Sequence, residues 1–285
     1  MRAPAALTRQ GAVRKLGRGR GIGDRRVLDK LDRFDAAAAA APTSSRPSSR
    51  PRYDWGRALR ALQRLFKNKE DTSEVFEIMF ALNGRAYAED YVRLLETPEG
   101  GRIAYERVEF ADRLLDPQWV ASFPPGSVGA AYRTFQATEH LSMGGLIDES
   151  HKALPAEELD QRHPYAWWFR RIRDLHDIWH VLTGYGRDAL GEMCLAAFAY
   201  QEVRGAGWAL VVAGGFLRCH GPAAGAARRA MLEARARAIR AAWLPGEDYE
   251  RLMFEPLEAA RARLRLSPPR AYEAVAPNLR DLTIV

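Results

Sequence analysis

The chain is 285 residues long, 47% hydrophobic and 28% charged, with 43 Lys+Arg against 36 Asp+Glu and a formal net charge of +7. That suits one large domain with a real core and excludes a wholly disordered chain. No run of 18 apolar residues occurs, so no helix is expected to cross a membrane, and two cysteines without CxxC spacing support neither a disulfide scaffold nor a Cys-based zinc site. The compartment is expected to be reducing.

The basic character is confined to one end. Residues 1–52 hold 13 basic and 4 acidic side chains, leaving 30 basic against 32 acidic in 53–285. An alanine run at 36–41 and a Pro/Ser/Arg run at 42–51 predict a disordered, low-complexity basic tail with one short helix around 26–41. Such a tail fits an organelle transit peptide, a tether to anionic lipid, or a dispensable extension. It has no apolar core of the secretory kind. The rest of the chain lacks zinc-finger spacing and interleaved aromatic and basic residues, so no nucleic-acid partner is expected.

From residue 53 onward the hydrophobic period is close to 3.6, and the fold class is all-α: a single multi-helix domain over 53–285. Trp55, Ala58, Leu59, Leu62 and Phe66 form a first stripe. Asp71 and Glu74 resemble a capping box opening a second helix with Val75, Ile78, Met79 and Leu82. Residues 86–95 give a third, 103–110 are ambiguous, 113–123 hold a short helix stopped by Pro124-Pro125-Gly126, and Ser127 starts the next. After a polar stretch at 148–163, residues 165–182 read as one long aromatic-rich helix. Thr183-Gly184-Tyr185-Gly186 interrupts it, and Asp188 caps a helix running to about Arg204 with Gly205 at its end. Residues 208–217 are apolar on every side and are expected to be buried. Residues 223–243 form an Arg/Ala helix, and 245–264 supply one or two more.

The stretch that carries chemistry is His176-Asp177-Ile178-Trp179-His180, then eleven residues, then Glu192. Residues four apart on a helix differ by about 40° in azimuth, so both imidazoles share a face, and Asp177 lies about 60° from His180. Continuing that helix would carry Glu192 roughly 18 Å along the axis. The glycine-containing break lets the second helix fold back antiparallel, so that Glu192 meets the histidines. Two imidazoles with one or two carboxylates on facing helices form a metal site of the kind helix bundles build. The alternative is an ion-paired network with Arg171 and Arg173.

HDxxH-x11-E resembles the signature of the coenzyme Q (ubiquinone) biosynthesis protein 4 family. Arg171, Arg173 and His176 match the approach to that motif, and Pro124 to Tyr132 match a Pro-x-Gly-[ST]-[VL]-Gly-x-x-Tyr element upstream. The resemblance covers about 70 to about 275. Glu233-Ala234-Arg235-Ala236-Arg237 departs from the family's pattern, so nothing is assigned there. The resemblance implies an all-helical protein of ubiquinone synthesis that binds a divalent metal, usually zinc, through His176, Asp177, His180 and Glu192. It further implies removal of the C1 carboxylate from a polyprenylated hydroxybenzoate, within a complex of quinone-biosynthesis proteins peripheral to a membrane. That membrane would be the inner face of a bacterial cytoplasmic membrane, or the matrix side of the mitochondrial inner membrane in a eukaryote. A homo-oligomer is expected, though no residue pattern fixes its order. Trp167, Trp168, Trp179, Trp208 and Phe216 would line a tunnel for the lipid tail or, as is more usual for aromatics at helical spacing, form core.

In this reading His176, His180 and Glu192 hold the metal, with Asp177 either a fourth ligand or a support behind a ligand, and these residues are the catalytic set. Arg171 or Arg173 pairs with the substrate carboxylate or else simply stabilises a helix face. Zinc serves a simple decarboxylation, whereas an oxidative one calls for iron. A zinc peptidase would carry Glu at the position of Asp177. A non-catalytic scaffold or prenyl-lipid carrier, its helices stapled by the metal, is the remaining alternative.

Overall fold

The 3.6-residue period dictates what the computed structural model contains. Residues 53–68, 73–140, 142–153 and 164–281 are described, and every regular element in them is helical. The expected basic tail, its short helix and the proposed cap Asp71 lie outside them. Ser127 and Pro256 form an isolated antiparallel bridge.

Helix α1 (Trp55–Lys67) starts on Asp54, whose carboxylate accepts the Arg57 amide at 2.9 Å. Ala58 and Leu62 are buried on its inner stripe, but Trp55 and Leu59 stay about half exposed. Helices α2 (Ser73–Leu82) and α3 (Gly84–Leu95) follow, then α4 (Gly100–Glu106), α5 (Phe110–Leu115) and α6 (Pro117–Ala121). The ambiguous stretch 103–110 is therefore the end of one helix and the start of another, turned by Arg107 in the left-handed region at φ 44°.

Ser127 accepts the Ala130 amide at 3.1 Å and opens α7 (Val128–Thr138), as its place after Pro-Pro-Gly suggests. Helix α8 (Met143–Ala153) leads to α9 (Pro164–Asp174) and α10 (His176–Thr183). The long helix expected over 165–182 is thus two segments meeting at Leu175. The bonds Leu175 N–H to Arg171 O and Trp179 N–H to Leu175 O keep the ladder continuous through the join.

Helix α11 (Ala189–Val203) starts on Asp188, whose carboxylate accepts the Gly191 amide at 2.9 Å. It ends on Arg204 in the left-handed region at φ 54°, not on Gly205. Gly205 is needed for close packing: a Cβ there would lie 2.2 Å from the buried Asn83 side chain.

Helix α12 (Ala206–Arg218) corrects the expectation of burial. Only Gly207, Val211 and Gly215 are buried, and Leu217 is 79% exposed. Glycines at 207 and 215 bring this face close to Met79 and Met193, while the rest of the helix, with Trp208, Leu210, Val212 and Phe216, is only partly covered. Helix α13 (Ala224–Arg240), a short 3₁₀ turn (Leu244–Gly246), α14 (Tyr249–Leu252), α15 (Leu257–Arg263), α16 (Arg270–Glu273) and α17 (Pro277–Arg280) complete the described domain.

The aromatic residues beside the motif are core. Trp167, Trp168 and Trp179 are at most 1% exposed. Trp167 donates to Val108 O, and Trp179 donates to the Tyr249 hydroxyl at 2.7 Å. Trp208 and Phe216, on α12, are only partly buried.

Candidate metal centre

Helix α10 is eight residues long and bears both histidines. Asp177 lies in its first turn and His180 in its last, the order that favours a carboxylate at the positive end and a basic ring at the negative end. A helix leaves its last four carbonyls without internal partners. Here all four are taken. Gly184, at φ 79°, donates to His180 O; Arg261 donates to Val181 O and Leu182 O; Arg237 donates to Thr183 O. The helix end is held by guanidinium groups from α13 and α15.

The turn beyond it is fixed as tightly. A Cβ on Gly191 would stand 2.0 Å from Gly186 O, so the first turn of α11 lies directly on the loop. The Tyr272 hydroxyl accepts the Gly186 amide at 3.0 Å and donates to Asp188. This reversal brings Glu192, in the first turn of α11, back to the histidine pair.

Single donor atoms of His176, His180 and Glu192 lie within 4.8 Å of one another. Glu192 Oε2 is 3.6 Å from His176 Nε2 and 3.5 Å from His180 Nε2. Each imidazole is held from behind through Nδ1, by Asp177 Oδ1 at 3.1 Å for His176 and by Tyr185 O at 3.1 Å for His180. A carbonyl only accepts, so His180 Nδ1 carries the proton and Nε2 presents its lone pair inward. That Nε2 is buried and has no hydrogen-bond partner. Phe135 of α7 stacks on the His180 ring at 5.5 Å and 21°. His180 is fully buried, whereas His176 and Glu192 keep 30% of their side chains exposed.

The electrostatics favour positive charge at this point. Burial alone would favour neutral His176, but the flanking Asp177 and Glu192 carboxylates raise its pKa to about 10. Burial opposes ionisation of both acids, yet His176 holds Asp177 below the usual carboxylate range, and His180 with His176 holds Glu192 well below it. Two convergent Nε2 atoms, one of them an orphaned buried acceptor, and a carboxylate between them fit a divalent cation of the zinc type. Asp177 takes the position behind His176, where a carboxylate orients a ligand ring and raises its basicity.

The two arginines singled out in the sequence have other partners. Arg173 is 3% exposed and bonded to Asp174 and to Ser150 Oγ. Arg171 donates to Glu247 O at 2.7 Å and lies against the Trp167 and Tyr249 rings. No contact joins either to the three donors among the described residues. Sequence reasoning missed Arg187, whose Nε is 3.2 Å from Glu192 Oε1, and Phe135. A basic residue five positions before Glu192 has no helical-face relation to it, so spacing gave no signal.

The model of the family described as "Coenzyme Q (ubiquinone) biosynthesis protein Coq4" matches residues 81–270, two thirds of the chain and the whole of this centre. The chain belongs to the Coq4 family. Mitochondrial ubiquinone biosynthesis proteins COQ4 of Paracoccidioides lutzii and Aspergillus clavatus are 29% identical over 109 residues and 31% over 107, covering 38% of this chain. The chain spans about a third (35%) of the length of each of these relatives. A solved structure described as a putative ubiquinone biosynthesis protein from Nostoc punctiforme shares the fold at TM-score 0.54 and 17% identity. It covers 76% of this chain and 100% of its own. The Coq4 match takes in all four motif residues, both arginines and Arg187.

Proposed function

We propose that this chain serves ubiquinone synthesis as a metal-dependent decarboxylase acting at C1 of a polyprenylated hydroxybenzoate. The observation that carries the reading is the convergence of His176 Nε2, His180 Nε2 and Glu192 Oε2 beside a partly open face. Structural zinc sites are closed by four protein ligands, whereas catalytic ones keep three and leave a position for substrate. Zinc bound by these residues would supply Lewis-acid polarisation of the substrate's oxygens. The protein's own part is to hold the donors: Asp177 and Tyr185 O fix the imidazole planes, Phe135 shields His180, and Arg187 fixes Glu192. In the reaction the bond from ring carbon C1 to the carboxylate breaks, carbon dioxide leaves, and C1 takes a proton.

A lipid-tailed substrate suits work at a membrane surface with other quinone-biosynthesis proteins. The half-open apolar face of α12 supports that placement. It lies in a stretch, 203–232, with no Asp or Glu, bearing Arg204, Arg218, Arg228 and Arg229. No described helix is long and apolar enough to cross a membrane. The test is a quinone-precursor profile of a strain lacking the protein, rescued with wild type and with Glu192→Gln. Accumulation of a carboxylated prenyl-ring precursor, cleared by wild type alone, is expected. Unchanged quinone in the deletion strain, or full rescue by Glu192→Gln, sinks the reading.

A further inference from the structure

A carboxylated substrate brings negative charge to a centre that already holds Asp177 and Glu192. A guanidinium suits that charge, and once Arg170, bonded to Glu109, is set aside, Arg171, Arg173 and Arg187 stand near the motif in sequence. Arg173 is buried in an ion pair with Asp174, and Arg171 is buried against two aromatic rings with its Nη2 on a main-chain carbonyl. Arg187 differs from both. It stands on the turn between α10 and α11, and its side chain is 29% exposed, like those of His176 and Glu192.

Arg187 is oriented by its Nε, which donates to Glu192 Oε1 at 3.2 Å and leaves Glu192 Oε2 toward the two imidazoles. No described residue engages its two Nη groups. A guanidinium is planar and carries five donors in a fixed fork, so an arginine tethered through Nε still offers an Nη edge matched to the two oxygens of a carboxylate. The tether costs that edge nothing, and it fixes the fork relative to the three donors.

The geometry points to Arg187 as the residue that receives the substrate carboxylate at the mouth of the His176–His180–Glu192 centre. This rests on the metal-dependent decarboxylase reading and assigns the anion contact within it. Arg171 and Arg173 then hold the approach helix, α9. In the free protein Arg187 steadies Glu192; with ligand bound, one guanidinium bridges a metal-ligating carboxylate and the carboxylate to be removed. Selectivity follows: an aromatic acid is retained, and the product, stripped of its carboxylate, loses its hold on Arg187 and departs.

The probe is 4-hydroxybenzoate, with phenol as the control lacking the carboxylate, titrated into full-length protein by calorimetry with the zinc site saturated. Zinc affinity is measured separately by chelator competition. Arg187→Gln is expected to weaken 4-hydroxybenzoate roughly tenfold or more, the effect of losing a charge-assisted contact, and to leave phenol unchanged. Arg187→Lys, which keeps the charge and loses the fork, is expected to fall between. Arg187→Gln is also expected to lower zinc affinity, because Glu192 loses its anchor, so the acid is compared only at full zinc occupancy. Equal 4-hydroxybenzoate affinity in wild type and Arg187→Gln, with only zinc affinity altered, would show that Arg187 merely positions Glu192 and overturns the proposal. So would a zinc-loaded wild type that binds no 4-hydroxybenzoate. If the acid binds through Arg187 with no dependence on zinc, His180 or Glu192, the assignment of Arg187 stands and the metal reading fails.

Discussion

Gly191→Ala tests whether the α10–α11 reversal is what assembles the centre. The added Cβ would stand 2.0 Å from Gly186 O and 2.7 Å from its carbonyl carbon. Both are main-chain atoms of a turn bonded to Tyr272, so the contact is not relieved by a rotamer change. Relief to ordinary contact at about 3.4 Å moves the start of α11 by roughly 1.4 Å, and the next residue is Glu192; donor distances in metal sites tolerate only about 0.2 Å. We expect zinc affinity to fall roughly ten- to hundredfold, as when a ligand's support is disturbed. Overpacking of this kind costs about 1–3 kcal/mol, equivalent to a melting temperature lower by about 2–12 °C in a domain of this size. Chelator competition and thermal melts measure the two effects. Gly225→Ala is the control, since nothing lies within 4 Å of its Cβ position. A Gly191→Ala protein that binds zinc and melts like wild type would refute the argument that this close approach sets the site.

Three further outcomes follow from other parts of the fold. Tyr249→Phe strips the buried Trp179 indole N–H of its acceptor and is expected to cost about 1–3 kcal/mol in chemical denaturation; an unchanged midpoint would show that the bond contributes nothing. Burial raises Asp90 and Glu202 to about 8, partly offset by Arg93 for Asp90 and by the Leu244 amide for Glu202. Between about pH 4 and 8 the native protein therefore keeps protons that the unfolded chain has released, so stability falls as pH rises and levels off above 8. Asp90→Asn with Glu202→Gln should flatten that slope, and a slope equal to wild type would refute the assignment. Stripping zinc with a chelator is expected to lower the melting temperature only by the linkage of a bound ligand and to leave helical circular dichroism intact; loss of the helical signal would mark the metal as a structural staple.

Much of the centre was legible because it depends on short-range rules. Histidines at i and i+4 share a face, Gly184 permits the reversal, and Asp188 supplies the cap, all within 17 consecutive residues. What the sequence did not show is tertiary. Arg237 and Arg261 reach the carbonyls of α10 from 54 and about 80 residues away, and Tyr272 reaches Asp188 from 84 residues away. Leu175 breaks the long aromatic helix without glycine or proline to announce it. Helix α12 misled for a different reason: a segment apolar on every side has no periodic signal to say which face is covered. The glycines at 207 and 215 choose it, by allowing the close approach that larger residues would block.

These long-range supports also bear on whether the metal is a tool or a rivet. If a metal ion were needed to join α10 to α11, the reversal between them would be under-determined by protein contacts alone. It is not. The carbonyl end of α10 is saturated by Gly184, Arg237 and Arg261, the loop is clamped by Tyr272 on Gly186 and Asp188, and α11 is capped by Asp188 on Gly191. None of these bonds uses a side chain of the triad. By contrast, the triad's inward-facing atoms lack good bonds to one another: 3.5 and 3.6 Å are long for hydrogen bonds, and His180 Nε2 is buried without a partner. A fold that satisfies its turn elsewhere, yet leaves His180 Nε2 buried without a partner where three donor atoms converge, sacrifices stability at that point. Such local cost in an otherwise saturated region is the pattern of a site kept ready for a ligand, which is why the enzyme reading is preferred to the scaffold.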